Sequence, residues 1–125
     1  MTHTLDAAKL TDLVEAAKRA GADAADAVAV RGRSAGVSVR LGKVEGTESS
    51  ESEDVSLRVF VGQRVASVSA TAASDPKALA ERAVAMAKVS PEDPFQGLAD
   101  PALLARNLRD LDLFDPTEVS ADQLK

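Results

Sequence analysis

Cysteine, tryptophan and tyrosine are missing from this 125-residue sequence, and histidine occurs once, as His3. Without a thiol the chain offers no disulfide, no thiolate nucleophile and no thiolate-held metal, a composition compatible with a reducing cytoplasm, the expected compartment. With His3 as the only imidazole, the paired histidines of a His-Glu-x-x-His zinc helix are not available. Nor is there a base to activate a serine, so Ser34, Ser38, Ser67 and Ser69 are read as hydroxyls without catalytic duty. Long apolar runs are missing too. No stretch approaches membrane-spanning length, and the opening residues lack the basic group and apolar run of a secretory signal.

What is present is small, aliphatic and acidic. Apolar residues make up 45% of the chain, mostly Ala, Val and Leu with three Phe, enough for one core built from closely approaching elements. Fifteen basic against twenty acidic residues give a net charge of −5, which repels phosphate backbones at long range and makes free nucleic acid a poor partner. The densest acidic run, Ser49-Ser50-Glu51-Ser52-Glu53-Asp54 with Glu45 and Glu48 upstream, lacks the spacing and glycine of a calcium loop and reads as a solvated turn. Arg31, Arg33, Arg40, Arg58 and Arg64 form the best basic group. Only Phe60 lies among them as a stacking platform, so cross-strand pairing with Glu45, Glu48 or Glu51 is expected instead of nucleic-acid binding. Gly36, Gly42, Gly46 and Gly62 are spread over separate turns and form no phosphate loop.

Periodicity predicts an α+β fold. Leu10, Leu13, Val14 and Ala17 recur at i, i+3, i+4 and i+7, which predicts a helix over about residues 6–20, capped by Thr4 at its start and by Gly21 in a left-handed conformation at its end. Val28 and Val30 then alternate with alanines, and Val37, Val39 and Leu41 alternate with Ser38 and Arg40. The shift from even to odd apolar positions places a turn over residues 31–36. Gly42-Lys43 turns the chain into a weak strand through Val44. Val55, Leu57, Val59 and Val61 form the central strand, Gly62-Gln63 reverses it, and residues 65–70 return beside it. Asp75 caps a second helix with Pro76 at its first position and a buried stripe of Leu79, Ala83 and Met86 beside Ala80 and Ala87, ending at Ser90-Pro91. The expectation is an antiparallel sheet of four or five strands with an N-terminal and a C-terminal helix on one face, occupying residues 1–92. Residues 93–125 would be an extended tail leading into a helix opened by Ser120, in a protein longer than this sequence.

The tail carries a resemblance. Ser90-Pro91-Glu92-Asp93-Pro94-Phe95-Gln96-Gly97-Leu98-Ala99-Asp100-Pro101 and Leu111-Asp112-Leu113-Phe114-Asp115-Pro116, joined to residues 16–26, 36–40 and 54–70, resemble the N-terminal domain of the TldD/PmbA family, the so-called gyrase modulators, in its PmbA (TldE) branch. The resemblance implies a non-catalytic domain of a subunit that pairs with a TldD-like zinc metalloprotease to process or degrade unfolded peptides. The zinc and its His-Glu-x-x-x-His helix would belong to the partner, and the peptide would enter as an extended strand. It transfers no catalytic, metal or cofactor-binding residue to this chain, because none of the family's motif positions occurs in it. The strand pair 55–61 and 65–70 offers an edge to an extended peptide unless it lies inside the sheet. An alternative is a regulatory module without enzymatic activity that binds gyrase or another protein, although the acidic charge gives a DNA role no physical support.

Overall fold

The structure, a computed structural model, describes residues 7–125. His3 and the expected Thr4 cap lie outside the described residues. Element order is α1 (Ala7–Arg19), β1 (Ala24–Arg40), β2 (Lys43–Val61), β3 (Arg64–Thr71), α2 (Pro76–Val89) and a 3-10 turn at Pro101–Leu103. The strands form one sheet in the order β1-β2-β3. The described residues therefore hold three antiparallel strands, where the sequence suggested four or five. The difference lies in two predicted loops that are strand: 31–36 lies within β1 and the acidic run 49–54 within β2.

One compact unit comprises residues up to Arg31 together with Glu53–Leu98. Its first helix closes as predicted. The Gly21 and Ala22 N–H groups donate to the Lys18 and Ala17 carbonyls at 3.1 and 3.0 Å, and Gly21 takes φ +112°, which completes a Schellman cap. At the start of α2, Asp75 accepts from the N–H groups of Lys77 and Ala78, and Pro76 spends no hydrogen bond at the first position. The helix ends at Ser90, extended ahead of Pro91 as the proline requires.

α2 packs on α1 and on β3. Leu57, Val59, Ala66 and Val68 on the sheet meet Leu13, Ala16 and Ala17 of α1 and Leu79, Ala80, Ala83, Val84 and Ala87 of α2. Each fully buried Leu or Val contributes about 1.5–3 kcal/mol, offset by its ordering entropy. The buried stripe of α2 includes Val84, whereas Met86, expected inside, is 44% exposed. The stripe is set by α2 lying between a helix and a strand, which buries the pairs 79/80 and 83/84 and turns position 86 outward. Ala17, Ala80, Ala83 and Ala87 have no solvent exposure at all. Side chains that small let the backbones of the layer approach closely.

The Gly62-Gln63 reversal is fastened from two sides. Asp23 accepts from the Gly62 N–H through Oδ2 at 2.6 Å and donates its own N–H to the Phe60 carbonyl at 2.8 Å. Beyond α2, the Asp93 N–H donates to the Gln63 carbonyl at 2.7 Å, while Arg64 donates to the Ser90 carbonyl and lies 3.6 Å from Glu92.

The second compact unit comprises the distal hairpin, Gly32–Ser52, and Ala99–Lys125. Leu41 and Gly42 both have positive φ, +48° and +73°, the pattern of a type I′ turn. The reversal is thus one residue earlier than Gly42-Lys43. Gly32 lies within β1, where a Cβ would stand 3.0 Å from the Ser52 hydroxyl across the ribbon, a close approach that suits glycine. At the end of the chain Ser120 and Gln123 bond reciprocally, each side chain accepting from the other's backbone N–H at 2.8 and 3.3 Å. This is the capping box expected of a helix start, here enclosing a single turn.

Candidate functional site

Three surfaces of the first unit are candidate binding surfaces. The helix layer leaves a groove of about 210 Å³ beside the N-terminal turns of both helices. Leu10 and Leu13 of α1, Val55 of β2 and Leu79 of α2 line it, with Lys9, Asp12 and Glu53 also in its wall. Its volume falls below the roughly 300–1,000 Å³ of small-molecule sites and suits one or two apolar side chains. No nucleophile and base meet there.

The second surface is the sheet face turned away from the helices. Val28 and Val30 are 56% and 59% exposed on it, beside the Ser56 and Ser69 hydroxyls, paired at 2.5 Å across the β2–β3 register. On the same face Arg58 grips Asp26 in a two-pronged ion pair, Nε to Oδ1 at 3.0 Å and Nη2 to Oδ2, with its guanidinium 5.2 Å from the Phe60 ring centroid. The Asp26 hydrogen bond raises the Arg58 pKa further above its already high ordinary value, against a lowering by desolvation.

The third surface is the β3 edge. β2 pairs with β3 from Asp54↔Thr71 to Val61↔Arg64, and among the described residues no strand covers the far side of β3. An uncovered edge presents unpaired backbone groups to an extended chain.

The basic group is resolved into pairs. Arg33 meets Glu51 at 3.6 Å and Arg40 meets Glu45 at 3.7 Å, the cross-strand pairing expected from the sequence. Arg58 and Arg64 instead turn to Asp26 and Glu92, partners that periodicity alone did not identify because both lie outside the predicted central hairpin. The acidic run is strung along β2, so alternate residues face opposite sides of the ribbon. Among the described residues no three His, Asp or Glu side chains gather where they could hold a metal. No described helix is long and apolar enough to cross a membrane.

Comparison with known proteins gives a consistent answer. Curated relatives are the metalloprotease PmbA of Escherichia coli O157:H7, 40% identical over 90 residues, and a metalloprotease PmbA homolog of Haemophilus influenzae, 35% identical over 113 residues. These alignments take in 70% and 88% of this chain but only 20% and 25% of the relatives, so the chain spans about a quarter of their length or less. The crystal structure of TldE from Thermococcus kodakarensis shares the fold, with a TM-score of 0.69 at 19% identity over 91% of this chain and 26% of its own. The family model for PmbA/TldA metallopeptidase domain 1 matches residues 25–87, a span that begins in β1, crosses the whole sheet and ends at the last buried alanine of α2. Because that span holds the Asp26–Arg58 pair, the β3 edge and most of the core, the chain belongs to the PmbA/TldA metallopeptidase family, as a PmbA/TldE-like N-terminal domain.

Proposed function

We propose that this domain is a non-catalytic part of a PmbA/TldE-like subunit that pairs with a TldD-like zinc metalloprotease and helps to process or degrade unfolded peptides. Membership of domain 1 of a metallopeptidase family is the observation that carries the reading. The β3 edge supports it, since backbone pairing binds an extended peptide with little regard to sequence, as degradation of unfolded chains requires. The apolar groove between α1 and α2 adds a place for an occasional large side chain. Zinc and the general base would come from the partner, and this domain would wall or gate the space in which cleavage occurs.

The test is cleavage of an unfolded peptide by a TldD-like protein with and without the full-length PmbA-type protein that carries this domain. Cleavage that needs both supports the proposal. Equal cleavage by the TldD-like protein alone refutes it.

A further inference from the structure

The tail carries a series of highly exposed apolar side chains. Leu103, Leu108, Leu113 and Phe114 are each at least 80% exposed. Three of them recur at five-residue steps, spanning at most about 35 Å of extended chain. Isolated exposed leucines need no explanation, but a series of them on one strap marks an interaction surface.

The strap also sets its own conformation. Asp100 accepts from the Ala102 N–H at 2.9 Å, Asp110 from Asp112 at 3.0 Å and Asp115 from Thr117 at 2.9 Å. Pro101 and Pro116 fix φ immediately after two of these aspartates. Turns held by local side chains need no packing, so part of the ordering cost of docking is met before any partner arrives. From Ala99 onward the chain has six carboxylates against three cations, and its complement is an apolar surface with basic margins.

We propose that residues 103–119 dock as an acidic, leucine-bearing strap in an apolar groove with basic margins on the polypeptide that follows this domain in PmbA-type proteins. That occupant is favoured because three quarters or more of the curated relatives' length lies outside the matched part, and the part matched by the family model is domain 1. A covalently attached groove also meets the strap at high effective concentration. The proposal goes beyond the functional reading and does not depend on peptide cleavage.

The lack of cysteine supplies the assay. Leu113→Cys is introduced into residues 1–125 alone and into a fusion in which residues 1–125 replace the corresponding N-terminal part of the Escherichia coli O157:H7 protein. Modification by a maleimide is followed at that position by peptide mass spectrometry. Docking predicts at least tenfold slower modification in the fusion, with fast modification restored by Leu103→Asp and Leu108→Asp together. Equal rates in the two proteins overturn the proposal. If the fusion aggregates, 1–125 with Leu113→Cys is titrated with the Escherichia protein lacking its N-terminal part. Protection is then expected by about 100 μM, the weak end of specific affinity, and its absence there overturns the proposal as well. Neither readout involves the TldD-like partner, so failure here and failure of the peptidase reading are told apart.

Discussion

Replacing Ala83 by leucine tests whether close packing holds this domain together. Ala83 is fully buried in the helix layer and lines neither the 210 Å³ groove nor the open sheet face. Leucine has nearly the helix propensity of alanine, so propensity contributes little to the outcome. If the layer had room, burying three more carbons would stabilise it by about 2.4 kcal/mol. If it is as tight as the unexposed alanines indicate, overpacking costs about 1–3 kcal/mol and the sign reverses. Ala85→Leu, on the exposed face of the same helix, is the matched control. Urea and thermal unfolding measure the difference, and each kcal/mol corresponds to a loss of about 4–8 °C for a domain of this size. A stability of Ala83→Leu equal to or above that of Ala85→Leu would refute the argument.

Removing the α2 cap with Asp75→Ala strands the N–H groups of Lys77 and Ala78 and should cost about 1 kcal/mol, read from urea midpoints, with Asp75→Asn or Asp75→Ser recovering most of it. Leu41 stands at φ +48°, 95% exposed, ahead of Gly42, so Leu41→Asn creates the favoured Asn-Gly turn and should stabilise the distal hairpin by up to about 1 kcal/mol, seen as slower amide exchange in 32–52. The Thr117 hydrogen bonds hold the Asp115 carboxyl below its ordinary range. A depressed folded pKa means that the turn's stabilisation is complete above the ordinary carboxylate pKa and is lost as pH falls through the depressed one. NMR titration should therefore show the Thr117 amide shifting below the ordinary carboxylate range, and Thr117→Val should move that transition to higher pH.

The helix layer was legible in the sequence because its signals are local. Gly21, Asp75, Pro76 and Pro91 each fix a helix end through one residue's own geometry, and the structure places each end within a residue or two of the predicted position. The distal hairpin was not legible. The glycines of Arg31-Gly32-Arg33-Ser34-Ala35-Gly36 and the charges of residues 49–54 both read as loop, yet ladder hydrogen bonding is indifferent to side chains and continues through both. The even-to-odd shift from Val30 to Val37 needs no turn, because a ribbon without a helix layer has no single buried face to keep in register. Of the candidate site, the β3 edge followed from strand alternation, and the Arg33–Glu51 and Arg40–Glu45 pairs from the distribution of opposite charges. The groove and the Asp26–Arg58 grip did not, since each joins elements distant in sequence.

Strand order carries a consequence for how the domain folds. With β1, β2 and β3 adjacent in the same order in space as in sequence, every strand pairing closes through a two-residue reversal, and the sheet has low contact order. The helix layer is the opposite, because α1 reaches α2 only after the whole sheet has been traversed, and that closure carries the larger entropy cost. The hairpins are therefore poised to zip early while the docking of α1 completes the native state. A chain still emerging from the ribosome would hold a formed but uncovered sheet until α2 is free to dock.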